Sequence, residues 1–134
     1  MHSCRLLVAC VVLAPAGCGS TGLQPAGGKV VFPDGTALPG GLVLCEAVDP
    51  EVKISVRGEI RPDGTFRLGT HRNDDGAPEG KYRVQIQPPE RMFVDDRKPA
   101  KPTVHERFTR FDTSGLEITV TRDRNDFKLT VEKP

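Results

Sequence analysis

From Lys29 onward the apolar residues of this chain fall on every second position, and at short intervals the run is broken by Pro, Asp and Gly. A period of two is the repeat of a β-strand with one buried and one wet face, whereas an amphipathic helix needs a period near 3.6, which no stretch sustains. Val30 and Phe32 open the pattern, and Pro33-Asp34-Gly35 turns the chain. Leu42 to Ala47 forms the next segment. Val52, Ile54, Val56 and Ile60 alternate with polar residues up to Arg61-Pro62-Asp63-Gly64, where Pro presets φ and Gly accepts positive φ. Phe66 and Leu68 continue, followed by Tyr82, Val84 and Ile86, by Leu116, Ile118 and Val120, and by Phe127, Leu129 and Val131. The 14 Gly and 12 Pro, with a single Tyr and no Trp, agree with short strands joined by turns. Seven segments with one apolar face each predict an all-β domain: a seven-stranded antiparallel β-sandwich, two sheets packed face to face. Roughly 18 buried side chains at about 1.5–3 kcal/mol each make an adequate core.

One segment departs from the alternation. Residues 88–115 include Pro88, Pro89, Pro99 and Pro102 and carry mixed charge. Loops longer than about 15 residues are usually functional or disordered. This one also holds Met92, Phe93, Val94, Val104, Phe108 and Phe111, richer in apolar residues than a disordered linker. At least Thr103 to Phe111 is expected to pack back on the sheets.

The first 17 residues read as an export signal: Arg5, then an apolar run from Leu6 to Ala14, then small residues. The run is too short for a bilayer span of about 20 residues. Pro15-Ala16-Gly17-Cys18 resembles a bacterial lipobox, with Pro15 where an apolar residue such as Leu is usual. In such lipoproteins the Cys after the cut is acylated, which here implies a lipid on Cys18 and a membrane-anchored protein of the cell envelope. An ordinary secreted chain cut near Ala16 is the alternative. Residues 18–28 read as the lipidated Cys and a small, flexible tether, and 29–134 as the domain. Cys4 and Cys10 leave with the signal, so Cys45 stands alone in the domain, without a disulfide or a Cys-based metal site. It is expected to be a small buried hydrophobe.

Nineteen basic against 18 acidic side chains give a net charge of +1, without the cationic excess that nucleic-acid binding requires. After removal of the signal the His residues are His71 and His105, and neither stands in a recognisable relay or ligand spacing. No catalytic residue, cofactor or metal is therefore expected. The Gly69 to Pro78 loop, with Asn73, Asp74 and Asp75, is the place for a glycan or calcium ion if the chain is a ligand-binding module. Sugar stacking on aromatic faces has little to work with, since Trp is absent and Tyr82 is assigned to the core.

Several motifs taken together resemble a known group. They are Gly28-Lys29-Val30, Pro33-Asp34-Gly35-Thr36, Pro62-Asp63-Gly64-Thr65-Phe66, Gly76-Ala77-Pro78-Glu79-Gly80-Lys81-Tyr82 and Ser114-Gly115-Leu116. In this order they are similar to small envelope lipoproteins abundant in planctomycete bacteria, often labelled carboxypeptidase-regulatory-like or transthyretin-like. The resemblance implies a prealbumin-like or Ig-like sandwich without established enzymatic activity. Tyr82, two residues after Gly80, is placed to bury its ring and hydrogen-bond its hydroxyl to a loop, as in a tyrosine corner. Leu42 and Leu44 should face outward if Val43 and Cys45 face in, which marks either a contact surface or a strand covered by the long loop. The reading that follows is a lipid-anchored, non-enzymatic protein that contacts an envelope protein. Phe93, Arg97, Lys98, Arg107 and Phe111 are the expected contact residues, because aromatics and Arg dominate interface energetics.

Overall fold

The computed structural model describes residues 22–92 and 101–134. The signal segment and Cys18 lie outside them, as do Phe93, Arg97 and Lys98. The described residues are all-β apart from two short 3-10 turns, Pro89–Arg91 and Glu106–Thr109. They form nine strands: β1 (Leu23–Gln24), β2 (Gly27–Val31), β3 (Leu42–Ala47), β4 (Ser55–Glu59), β5 (Thr65–Arg67), β6 (Ala77–Pro78), β7 (Gly80–Gln87), β8 (Leu116–Val120) and β9 (Asp126–Thr130). A four-stranded sheet runs β4-β3-β7-β8, a three-stranded sheet runs β5-β2-β9, and β1 pairs with β6 in a two-residue ladder.

Two features differ from the expected arrangement. β1 and β6 are added to the seven predicted segments, and both draw on stretches read as loop or tether. Residues 22–28 are tied into the fold instead: Ala26 is buried and Gly27-Gly28 open β2. The second difference is that β2 and β9 pair in parallel, from Gly27 with Asp126 to Val31 with Thr130. Parallel neighbours need a long crossover, and here nearly the whole domain supplies it. Small residues allow the approach: a Cβ on Gly28 would overlap the Phe127 carbonyl.

The turns follow the local chemistry. In Pro33-Asp34-Gly35-Thr36 the Asp34 carboxylate accepts from the Thr36 amide (3.0 Å) and hydroxyl (2.6 Å). Pro62-Asp63-Gly64-Thr65 repeats this, with Asp63 accepting at 3.0 and 2.5 Å. Gly64 has φ +84°, and a Cβ there would come within 2.8 Å of the Val30 carbonyl oxygen, to which no L side chain adapts cheaply.

The inward faces of both larger sheets meet in one core. Val30, Phe66 and Leu129 come from the three-stranded sheet; Val43, Cys45, Val56, Tyr82, Val84, Ile86, Ile118 and Val120 come from the four-stranded one. Tyr82 is buried, and its hydroxyl donates to the Pro78 carbonyl at 2.8 Å, the bond that its position after Gly80 predicts. The second part of the long segment joins the core through Val104 and Phe108. The His105 amide donates to the Glu132 carbonyl (2.8 Å), and the buried Ser114 hydroxyl donates to the Val84 carbonyl. The segment thereby covers the sheets where, among the described residues, β8 and β9 have no further partner strand.

A candidate contact surface beside the third strand

The outer face of the four-stranded sheet is built from the polar half of each alternation. In register across it stand Glu59, Leu42 and Gln87, then Arg57, Leu44 and Gln85, then Ser55, Glu46, Arg83 and Glu117. Leu42 and Leu44 do sit on this face, and both are half-buried. Below them Arg83 Nη2 reaches Glu46 Oε1 at 2.5 Å, and Lys81 reaches Glu117 at 3.1 Å. Both pairs are about half exposed, where ion pairs contribute about 0–1 kcal/mol, so they fix side-chain directions more than stability.

Alternation places a separate strand from Val52 to Ile60, yet β4 begins only at Ser55. The residues before it are held in a turn at Asp49-Pro50: the Asp49 carboxylate accepts from the Glu51 amide (3.0 Å), and the Val52 amide donates to the Asp49 carbonyl (3.1 Å). This tight turn throws Val48 and Val52 outward, leaving them 41% and 37% exposed. They are the large hydrophobic side chains that stand exposed among the described residues. With Leu44, Pro50, Ile54 and Phe111 they line a depression of about 610 Å³. Phe111, half-buried, reaches it from the long segment, so that segment covers part of the outer face and leaves the rest open. The Asp-Pro dipeptide was the sequence signal that could have located this turn.

The other expected contact residue among those described, Arg107, is held on the surface: its guanidinium lies 4.3 Å over the Phe108 ring and donates to Glu132 at 3.2 Å. Arg107 and Phe111 stand on the same segment, but Phe111 lines the depression beside β3, and Arg107 does not.

Cys45 is buried, and burial pushes its thiol up to about 12. A thiol so placed is a packing residue, since the thiolate is the nucleophile and is not formed near neutral pH. His71 lies in a loop organised by Asp75, whose carboxylate accepts from the amides of Thr70 (2.6 Å), Arg72 (3.0 Å) and His71 (3.2 Å). The Thr70 amide is the main reason that Asp75 ionises below the usual carboxylate range. His105 caps the 3-10 turn, its Nδ1 accepting from the Arg107 amide at 3.2 Å. Among the described residues no three His, Cys, Asp or Glu side chains are grouped to hold a metal ion. No helix among them is long and apolar enough to cross a membrane. Comparison with family models, with curated proteins and with solved structures returns no match.

Proposed function

We propose that this chain is an exported lipoprotein, anchored through Cys18, whose domain is a non-catalytic β-sandwich of prealbumin-like or Ig-like form that contacts a protein at the cell envelope. The shared core of the three- and four-stranded sheets and the Tyr82–Pro78 bond support that form. The observation that carries the contact reading is the depression beside β3. A sandwich's outer face is ordinarily polar, yet here Val48 and Val52 stand exposed next to Leu44 and Phe111. Apolar groups gathered in one depression and rimmed by charge, here Glu46 and Arg83, are the surface type that another protein buries.

The experiment places a photo-crosslinking residue at Val52, and in parallel at Lys128 on β9, in the full chain made in its native host. One discrete adduct at position 52, absent at 128 and lost in a Val48→Asp background, is expected. No adduct, or the same adducts at both positions, overturns the reading. The anchor has its own test: Cys18→Ser moves the protein from the membrane to the soluble fraction, and unchanged membrane retention refutes it.

A further inference from the structure

At the other end of β3 the β4–β5 hairpin places three arginines around one concavity. Arg57 comes from β4, Arg61 from the turn and Arg67 from β5, and all three line a space of about 390 Å³ together with Glu59, Asp74 and Asn73. The backbone at these anchor points is fixed. Arg57 and Gly69 exchange two hydrogen bonds, 3.0 and 2.8 Å, and the Arg61 amide donates to the Thr65 carbonyl at 2.8 Å. Gly58 lets β4 lie against β5, since a Cβ there would stand 2.6 Å from the Arg67 carbonyl oxygen. Asp74 is held in the left-handed region (φ 63°) and faces Arg61 at 3.6 Å. Beyond that pair the concavity continues into a second of about 370 Å³, which shares Arg61, Arg67 and Asp74 and adds Asn125 and Asp126. Arg57 and Arg67 have no acidic partner among the described residues.

We infer that this paired groove binds an acidic oligosaccharide, its sugar carboxylates taken by Arg57 and Arg67. The mixture of groups selects that chemistry. Planar guanidinium forks match carboxylates bidentately. A bare sulfate, carrying charge and no hydroxyl donor, is repelled by Glu59 and Asp74. A sugar acid uses both sets, presenting a carboxylate to the Arg residues and hydroxyl donors to Glu59, Asp74 and Asn73. The half-buried Leu42 and the exposed Pro62 line the first concavity as apolar surface for ring C–H groups. Two concavities on either side of the Arg61–Asp74 pair suit neighbouring residues of one chain. The site is separate from the depression beside β3 and does not rest on the contact reading.

The test is calorimetric titration of the full chain, at low ionic strength, with trigalacturonic acid, with neutral galactotriose and with sodium sulfate. Trigalacturonate is expected to bind with a dissociation constant on the order of 0.1–1 mM, and the other two not at the same concentrations. Arg57→Gln and Arg67→Gln should each weaken binding about tenfold or more, the loss expected for a charge-assisted pair. Arg57→Lys, which keeps the charge and loses the fork, should weaken it as well. Equal binding of galactotriose, tighter binding of sulfate, no heat with trigalacturonate, or unchanged affinity in the double Gln variant overturns the assignment. Phenylglyoxal labelling of the unsubstituted chain, mapped by mass spectrometry, needs no variant. Trigalacturonate should protect Arg57 and Arg67 and leave Arg91 reactive, and equal labelling with and without the ligand also overturns it.

Discussion

Replacing Tyr82 by Phe removes one oxygen from the fold and leaves the ring. That ring is 2% exposed and belongs to the shared core, while its hydroxyl donates to the Pro78 carbonyl at 2.8 Å. The bond spans the entry to β7: Pro78 ends β6, which pairs with β1, and Tyr82 lies within β7, which pairs with β3 and β8. Losing a hydrogen bond of ordinary strength costs about 0.5–1.5 kcal/mol, and a carbonyl left short of a donor raises this toward 2 kcal/mol. A Phe at position 82 should therefore destabilise the domain by about 1–2 kcal/mol. Tyr82→Ala, which also empties the ring's place in the core, should cost about 3–5 kcal/mol. Urea unfolding followed by circular dichroism separates the two. The Phe variant should lower the midpoint by about 0.5–1 M with an unchanged slope, for a slope of about 2 kcal/mol per molar urea. A Phe variant as stable as the parent would show that the hydroxyl bond contributes nothing net, and the corner would then be a matter of ring packing alone.

Three further outcomes are expected. Asp34 and Asp63 ionise below the usual value of 3.8, chiefly because the Thr36 and Thr65 hydroxyls donate to them. Their stabilisation is thus present above pH 3.8 and lost as pH falls through the depressed folded values, and the Asp34→Asn/Asp63→Asn double variant should lose part of that acid dependence in urea midpoints measured across the range. Cys45, with its thiol at about 12, should resist iodoacetamide at pH 8 in the folded chain and react in urea, as read on the peptide that carries it; rapid labelling of the folded form would refute its burial. Gly28→Ala should destabilise by about 1–3 kcal/mol, as overpacking does, because its methyl overlaps the Phe127 carbonyl; a melting temperature equal to the parent's would show that β2 and β9 separate freely.

Much of the all-β core was legible because burial on a sheet is a period-two property of the chain itself. Val84, Ile86, Ile118 and Val120 were identified by alternation alone and are buried as the pattern requires; Val43 and Cys45 are buried too, but they lie in a continuous apolar run whose inward face alternation does not choose. Turn chemistry is equally local, so the Asp34 and Asp63 turns could be read from four residues each, and Tyr82 from its distance to Gly80. The same rule failed at Val52, where alternation begins a strand but the bond from the Val52 amide to the Asp49 carbonyl keeps that residue in the preceding turn, so β4 begins at Ser55. Asn125 shows another limit. It reads as one residue of a turn, yet its buried side chain donates to the Pro25 carbonyl (3.0 Å) and accepts from the Thr121 amide (2.8 Å), joining chain segments a hundred residues apart.

What the sequence determined by itself was therefore what depends on near neighbours: strand period, turn type, which face of each strand is apolar, and the solitary Cys45 of the domain. Tertiary structure decided what depends on meeting distant chain. It set the parallel pairing of β2 with β9, because either edge of β2 offers the same donors and acceptors whatever the direction of its partner. It brought Phe111 to the depression that Val48 and Val52 open, and Arg57, Arg61 and Arg67 to one groove. Alternation says only that Arg57 and Arg67 face solvent and turn chemistry only that Arg61 lies in a turn; that all three line the same concavity follows from the corner at which β4 and β5 meet.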